Sequence, residues 1–95
     1  MSLNAQERKQ TSTELKANLE LSELTVEGIA ADLDLTSGEV ERALEVESAR
    51  PAHVWLLRDH LEAAVRARGV EPHPYSVLTE GMRAAASRWF GIPRT

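Results

Sequence analysis

Cysteine is absent from the 95 residues. That excludes disulfides, thiolate zinc sites and thiol catalysis, and it suits a reducing compartment. Aromatic side chains are scarce: two tryptophans, one tyrosine and one phenylalanine. All four fall on or beside apolar stripes, so packing is their expected role. No apolar run approaches the roughly 18–20 residues that a membrane span needs. Residues 1–14 are polar from the fourth position and lack the apolar middle of a secretory leader, so the expected compartment is the cytoplasm. Internal repeats and low-complexity tracts are lacking, and the length suits one domain covering residues 1–95. A domain this small is marginal alone, and a partner subunit would help it.

Basic residues are few in the first half. Residues 1–49 hold Arg8, Lys9, Lys16 and Arg42 against eleven acids, whereas residues 50–95 hold seven arginines against four acids. A nucleic-acid surface needs a basic face, and only the second half has one to offer.

The clearest pattern lies in residues 25–44, TVEGIAADLDLTSGEVERAL. Thr25 is a good N-cap, with Glu27 in the first turn behind it. Ile29, Ala30 and Leu33 face inward, and the small Ala30 permits a close helix crossing. Asp34 stands where the backbone turns left-handed, a conformation that aspartate tolerates. Leu35 plugs the core beneath the turn. Thr36 and Glu39 have capping-box spacing and open a further helix, in which Val40, Ala43 and Leu44 point inward.

Before this stretch, Asn4 can cap a short first turn. Thr11-Ser12-Thr13-Glu14 again has capping-box spacing. One helix, continuous or slightly broken near residue 10, is expected to end near Ser22. Leu15 and Leu19 lie on its inner side, with Ala17, Leu21 and Leu24 widening the stripe; Glu14, Lys16, Asn18 and Glu20 form a solvated outer face. After the stretch, Pro51 suits the first position of a long helix over residues 51–68, and Gly69 is a natural stop. Val54, Leu57, Leu61 and Val65 form its main stripe; Trp55, Leu56, Ala64 and Ala67 broaden it. Pro72 and Pro74 disfavour helix, and residues 75–78 fit a short strand or a helical turn. Met82, Ala85, Ala86, Trp89 and Phe90 repeat at helical spacing in the C-terminal segment, residues 70–95. The predicted fold is all-α, with four or five short helices around a helix-turn-helix. Its core is Leu15, Leu19, Ile29, Ala30, Leu33, Leu35, Val40, Leu44, Leu57, Leu61, Val65 and Trp89.

Catalytic patterns do not emerge. Asp32 and Asp34 are two apart, which does not converge carboxylates on a helix. Glu39, Glu41, Glu45 and Glu47 spread around a helix as a solvated face. His53 and His60 are seven apart, whereas metal sites use pairs three or four apart with further ligands. The expectation is a protein that is not an enzyme, with no cofactor, no metal and no small-molecule substrate.

The series Ile29-Ala30-x-x-Leu33-x-Leu35-Thr36-x-x-x-Val40-x-x-Ala43-Leu44 resembles the helix-turn-helix of bacterial transcriptional regulators in the lambda-repressor-like and resolvase-like group. The whole chain, from MSLNAQE to GVEPHPYSVL, also resembles a family of short bacterial proteins carrying only a domain-of-unknown-function label. The resemblance implies a small stand-alone helix-turn-helix protein without an established activity. In the DNA-binding families, exposed residues at the start and outer side of the second motif helix touch bases and phosphates. Those positions here are Ser37, Gly38, Glu39, Glu41, Arg42 and Glu45. The residues expected at DNA are Ser37, Gly38, Glu41, Arg42 and, beyond the helix, Arg50, with Arg8, Lys9 and the C-terminal arginines in support. Glu41 and Glu45 would face a polyanion, although a glutamate can accept from cytosine N4. The expected function is DNA binding and transcriptional regulation by a homodimer, away from membranes. The alternative is a protein–protein interaction module that keeps the scaffold and does not bind DNA.

Overall fold

A computed structural model describes residues 4–46 and 50–79. Helices α1 (Ala5–Ser22), α2 (Val26–Leu33), α3 (Ser37–Glu45) and α4 (Pro51–Ala67) follow in order, and no strand occurs among the described residues. The expected all-α architecture is what forms. The residues around Trp89 and the stripe from Met82 to Phe90 lie outside the described part.

The helix starts follow the local chemistry. Asn4 caps α1: its side-chain oxygen accepts from Glu7 N–H at 2.7 Å, and the Glu7 carboxylate accepts from Asn4 N–H at 3.0 Å. The capping-box spacing at residues 11–14 does not start a helix, because α1 runs straight through it. Its hydroxyls serve elsewhere: Thr13 donates back to the Lys9 carbonyl at 3.0 Å, and Ser12 donates to the Leu44 carbonyl at 2.6 Å. Thr25 caps α2 through Gly28 N–H at 3.0 Å. Thr36 and Glu39 form a reciprocal box at α3, with bonds of 2.9 and 3.1 Å. Thr36→Ala should therefore destabilise the fold by about 1 kcal/mol in urea denaturation; an unchanged midpoint would mean water replaces the cap without loss.

The helix ends turn left-handed. Glu23, Asp34 and Val46 have φ of 60°, 57° and 55°. At Asp34 this lets Leu35 N–H reach the Ala30 carbonyl at 2.9 Å, so Asp34, Leu35 and Thr36 alone join α2 to α3. Gly69, φ 75°, does the same for α4, returning Val70 N–H to the Val65 carbonyl at 3.3 Å.

Helix α4 is the spine, packed by α1, α2 and α3. The core holds Leu15, Ile29, Ala30, Val40, Ala43, Leu44, Val54, Trp55, Leu57, Leu61 and Leu78. Leu19, Leu33 and Leu35 are only partly buried against it, and Leu56 and Ala67, expected to widen the α4 stripe, are exposed. His60 of α4 meets the Asp32 carboxylate of α2 at 3.3 Å.

The largest departure from expectation is on α1. Glu14 and Asn18, read as solvated, are 2% and 0% exposed. The buried stripe of α1 is Thr11, Ser12, Glu14, Leu15, Asn18 and Ser22, mostly polar. Residues 73–78 lie against it, and they form neither a strand nor a helical turn.

Candidate functional site

Two regions carry chemistry. The first is the outward side of α3, which carries four of the residues expected at DNA. Gly38, Glu41, Arg42 and Glu45 are exposed, and Ser37 is half-buried. A Cβ built on Gly38 would lie 3.6 Å from Arg42 Nη1 and 3.9 Å from Thr36 Oγ1. The Arg42 guanidinium therefore folds back over the bare first turn of α3, the direction helical side chains favour. Glu39 beside it is held below its ordinary value, first by the Thr36 N–H and then by the Thr36 hydroxyl, His53 and Arg42, against a smaller upward push from burial. It stays ionised as a cap. Arg50 is exposed at the N-cap of α4, and among the described residues neither it nor Arg42 joins an ion pair.

The supporting arginines are committed elsewhere. Arg58 is buried, Arg66 pairs with Glu62 at 3.8 Å, and Arg68 pairs with Glu23 at 2.9 Å while donating to the Leu21 carbonyl. Arg83, Arg88 and Arg94 lie outside the described residues. The structure thus brings Ser37, Gly38, Glu41 and Arg42 onto one short helix, and it does not add Arg58, Arg66 or Arg68 to them. At the far end of α3, Lys16 pairs with Glu45, and Ser12 holds the Leu44 carbonyl.

The second region is the groove between α1 and α4, which the sequence reading missed. Asn18 grips one residue at both polar main-chain atoms: its Nδ2 donates to the His73 carbonyl at 2.9 Å, and its Oδ1 accepts from His73 N–H at 2.8 Å. One turn earlier, the Glu14 carboxylate accepts from Ser76 N–H at 3.0 Å and from the Ser76 hydroxyl at 2.7 Å. Across the groove, Arg58 Nε donates to the Leu78 carbonyl at 2.9 Å. The Arg58 guanidinium lies 4.7 Å from the Tyr75 ring centre and 5.8 Å from that of Trp55. Burial pushes the Tyr75 phenol up to about 12, against the opposing pull of Asn18 and Arg58. The available signal was the spacing of Thr11, Glu14, Leu15, Asn18 and Ser22 on a single helix face.

A family model for an "Uncharacterized protein conserved in bacteria (DUF2316)" matches residues 1–91. The chain belongs to this family. No curated protein and no solved structure matches it. The family description assigns no activity, so function rests on the two regions above. Among the described residues, no group of three or more His, Asp or Glu is placed to hold a metal, and no helix is long and apolar enough to cross a membrane.

Glu14 makes the groove sensitive to acid. Burial raises its carboxyl, but hydrogen bonds from Gln10 and Ser76, with His73 nearby, outweigh this and hold it below 4.5. A depressed folded value stabilises above the unfolded value and is lost as pH falls through the folded one. The urea midpoint of the wild type should accordingly drop more steeply below pH 4.5 than that of Glu14→Gln. Parallel curves would show that other carboxylates dominate.

Proposed function

We propose that this protein binds duplex DNA through α2 and α3, acting as a helix-turn-helix with α3 toward the major groove. The carrying observation is the exposed Arg42 guanidinium, outside any ion pair among the described residues, over the bare Gly38 at the start of α3. Such an end combines a positive dipole, backbone N–H groups and a guanidinium, the set that phosphates favour. Ser37 and Gly38 approach the backbone, Arg42 takes a phosphate or a guanine edge, and Glu41 accepts from a cytosine. Arg50, exposed at the N-cap of α4, is a further positive charge for the backbone. A single arginine pair supplies modest affinity, so binding is as a dimer on two half-sites, as a cytoplasmic transcriptional regulator would use.

Fluorescence anisotropy on a generic duplex across salt concentrations tests this. Affinity should fall as salt rises, and Arg42→Glu should weaken binding at least tenfold. Unchanged affinity in that variant would remove α3 from the interface. Exposed Asp32, Asp34 and Glu41 favour a second reading, in which the same face receives a basic protein partner. A wild type that ignores duplex at every salt concentration would leave that reading in place.

A further inference from the structure

We infer that residues 73–78 are an exchangeable arm, and that the groove between α1 and α4 takes the same arm from a second copy of this chain. The inference does not depend on DNA binding. It rests first on what the groove recognises. Asn18, Glu14 and Arg58 together hold His73 N–H, the His73 carbonyl, Ser76 N–H and the Leu78 carbonyl, all main-chain groups. A groove of this kind recognises the main chain of an irregular segment, one that bends at residues 76–78.

The three holding residues are 0%, 2% and 7% exposed. A permanently covered face is usually apolar, because burying polar groups is expensive. Polar groups that regain water on opening suit a contact that separates, as at the more polar interfaces between mobile domains. Apolar anchoring comes from Leu78, buried, and Tyr75, half-buried. A hinge is available before it. The segment follows the left-handed, exposed Gly69, and Pro72, which is buried, and Pro74 restrict the backbone leading into it.

Side chains then choose the occupant. Tyr75 must lie under Arg58, the Ser76 hydroxyl must reach Glu14, and Leu78 must enter the core. A second copy offers those residues in that register. Each of these contacts re-forms across a two-fold axis with the same partner residues.

The test uses the full chain. Light scattering and native mass spectrometry should show a dimer that grows with concentration, and mixing labelled with unlabelled chains should yield mixed dimers slowly, at a rate independent of concentration. Weakening the groove lowers arm affinity equally in monomer and dimer, so Asn18→Ala should leave their balance unchanged while speeding exchange roughly tenfold, the effect of two lost hydrogen bonds. Ser76→Ala, at an exposed position, should act in the same direction if Asn18→Ala folds poorly. Deleting Val70 and Glu71 should convert the chain to dimer, because a shortened hinge hinders return to its own groove. A wild type that is monomeric at all concentrations, a deletion variant that stays monomeric, or exchange unaffected by both Asn18→Ala and Ser76→Ala would each overturn the inference.

Discussion

Arg58→Ala should destabilise the protein by about 2–4 kcal/mol and free residues 73–78 before the helices melt. Three contacts disappear together. The Leu78 carbonyl loses its donor at 2.9 Å, the Tyr75 ring loses the cation 4.7 Å from its centre, and Trp55 loses the same cation. The Arg58 side chain is 8% exposed and already paired, with Asp59 at 3.0 Å and Glu62 at 3.4 Å. Removing it leaves the Asp59 and Glu62 carboxylates without their shared cation and the Leu78 carbonyl without its donor. Arg58→Leu restores apolar area without the donor, so it should recover only part of the loss. Urea denaturation gives the total, and hydrogen exchange at residues 75–79 separates release of the arm from global unfolding. Equal protection in wild type and Arg58→Ala would show that the arm does not depend on this residue.

Leu61→Ala should be comparably severe. Leu61 is 0% exposed in the middle of α4, the helix against which the other three pack. Truncating a leucine so placed costs about 2–5 kcal/mol through lost burial and the cavity left behind. A domain of this length has roughly 5–14 kcal/mol in total, at about 0.05–0.15 kcal/mol per residue. The melting temperature should fall by roughly 4–8 °C for each kcal/mol lost. Leu56→Ala is the control on the same helix, because Leu56 is 40% exposed; its effect should stay below about 1 kcal/mol. Similar losses at the two positions would mean that α4 is covered on both sides.

The contrast between these leucines marks where sequence reasoning stops. Turns and caps were legible because their chemistry is local. Thr25, Asp34, Thr36, Pro51 and Gly69 each act within a few residues, and each does what its neighbours require. The inner faces of α2 and α3 were legible for the same reason, through helical period. The capping-box spacing at residues 11–14 was local too, but Asn4 and Glu7 had already started the helix. Leu56 matches helical spacing as well as Leu57 does, and only the placement of α1, α2 and α3 decides which is covered. The groove was least legible. Asn18 and His73 are 55 residues apart, and Glu14 and Ser76 are 62 apart, so beyond the helical spacing with Thr11, Leu15 and Ser22 nothing local tells what covers Asn18. The α3 face was read residue by residue, yet the arginines expected to assist it were assigned by charge alone. Arg58, Arg66 and Arg68 proved to be tied to their own surroundings.

Helix α3 is held along its length: the turn of Asp34, Leu35 and Thr36 ties its start to α2, and Val40 is buried in the core. Ser12 and Lys16 of α1 hold its last turn at Leu44 and Glu45, while Gly38 stands exposed at its start. Helix α1 therefore carries the last turn of α3 on Ser12 and Lys16 and residues 73–78 on Glu14 and Asn18, so a single helix is the common support of both regions.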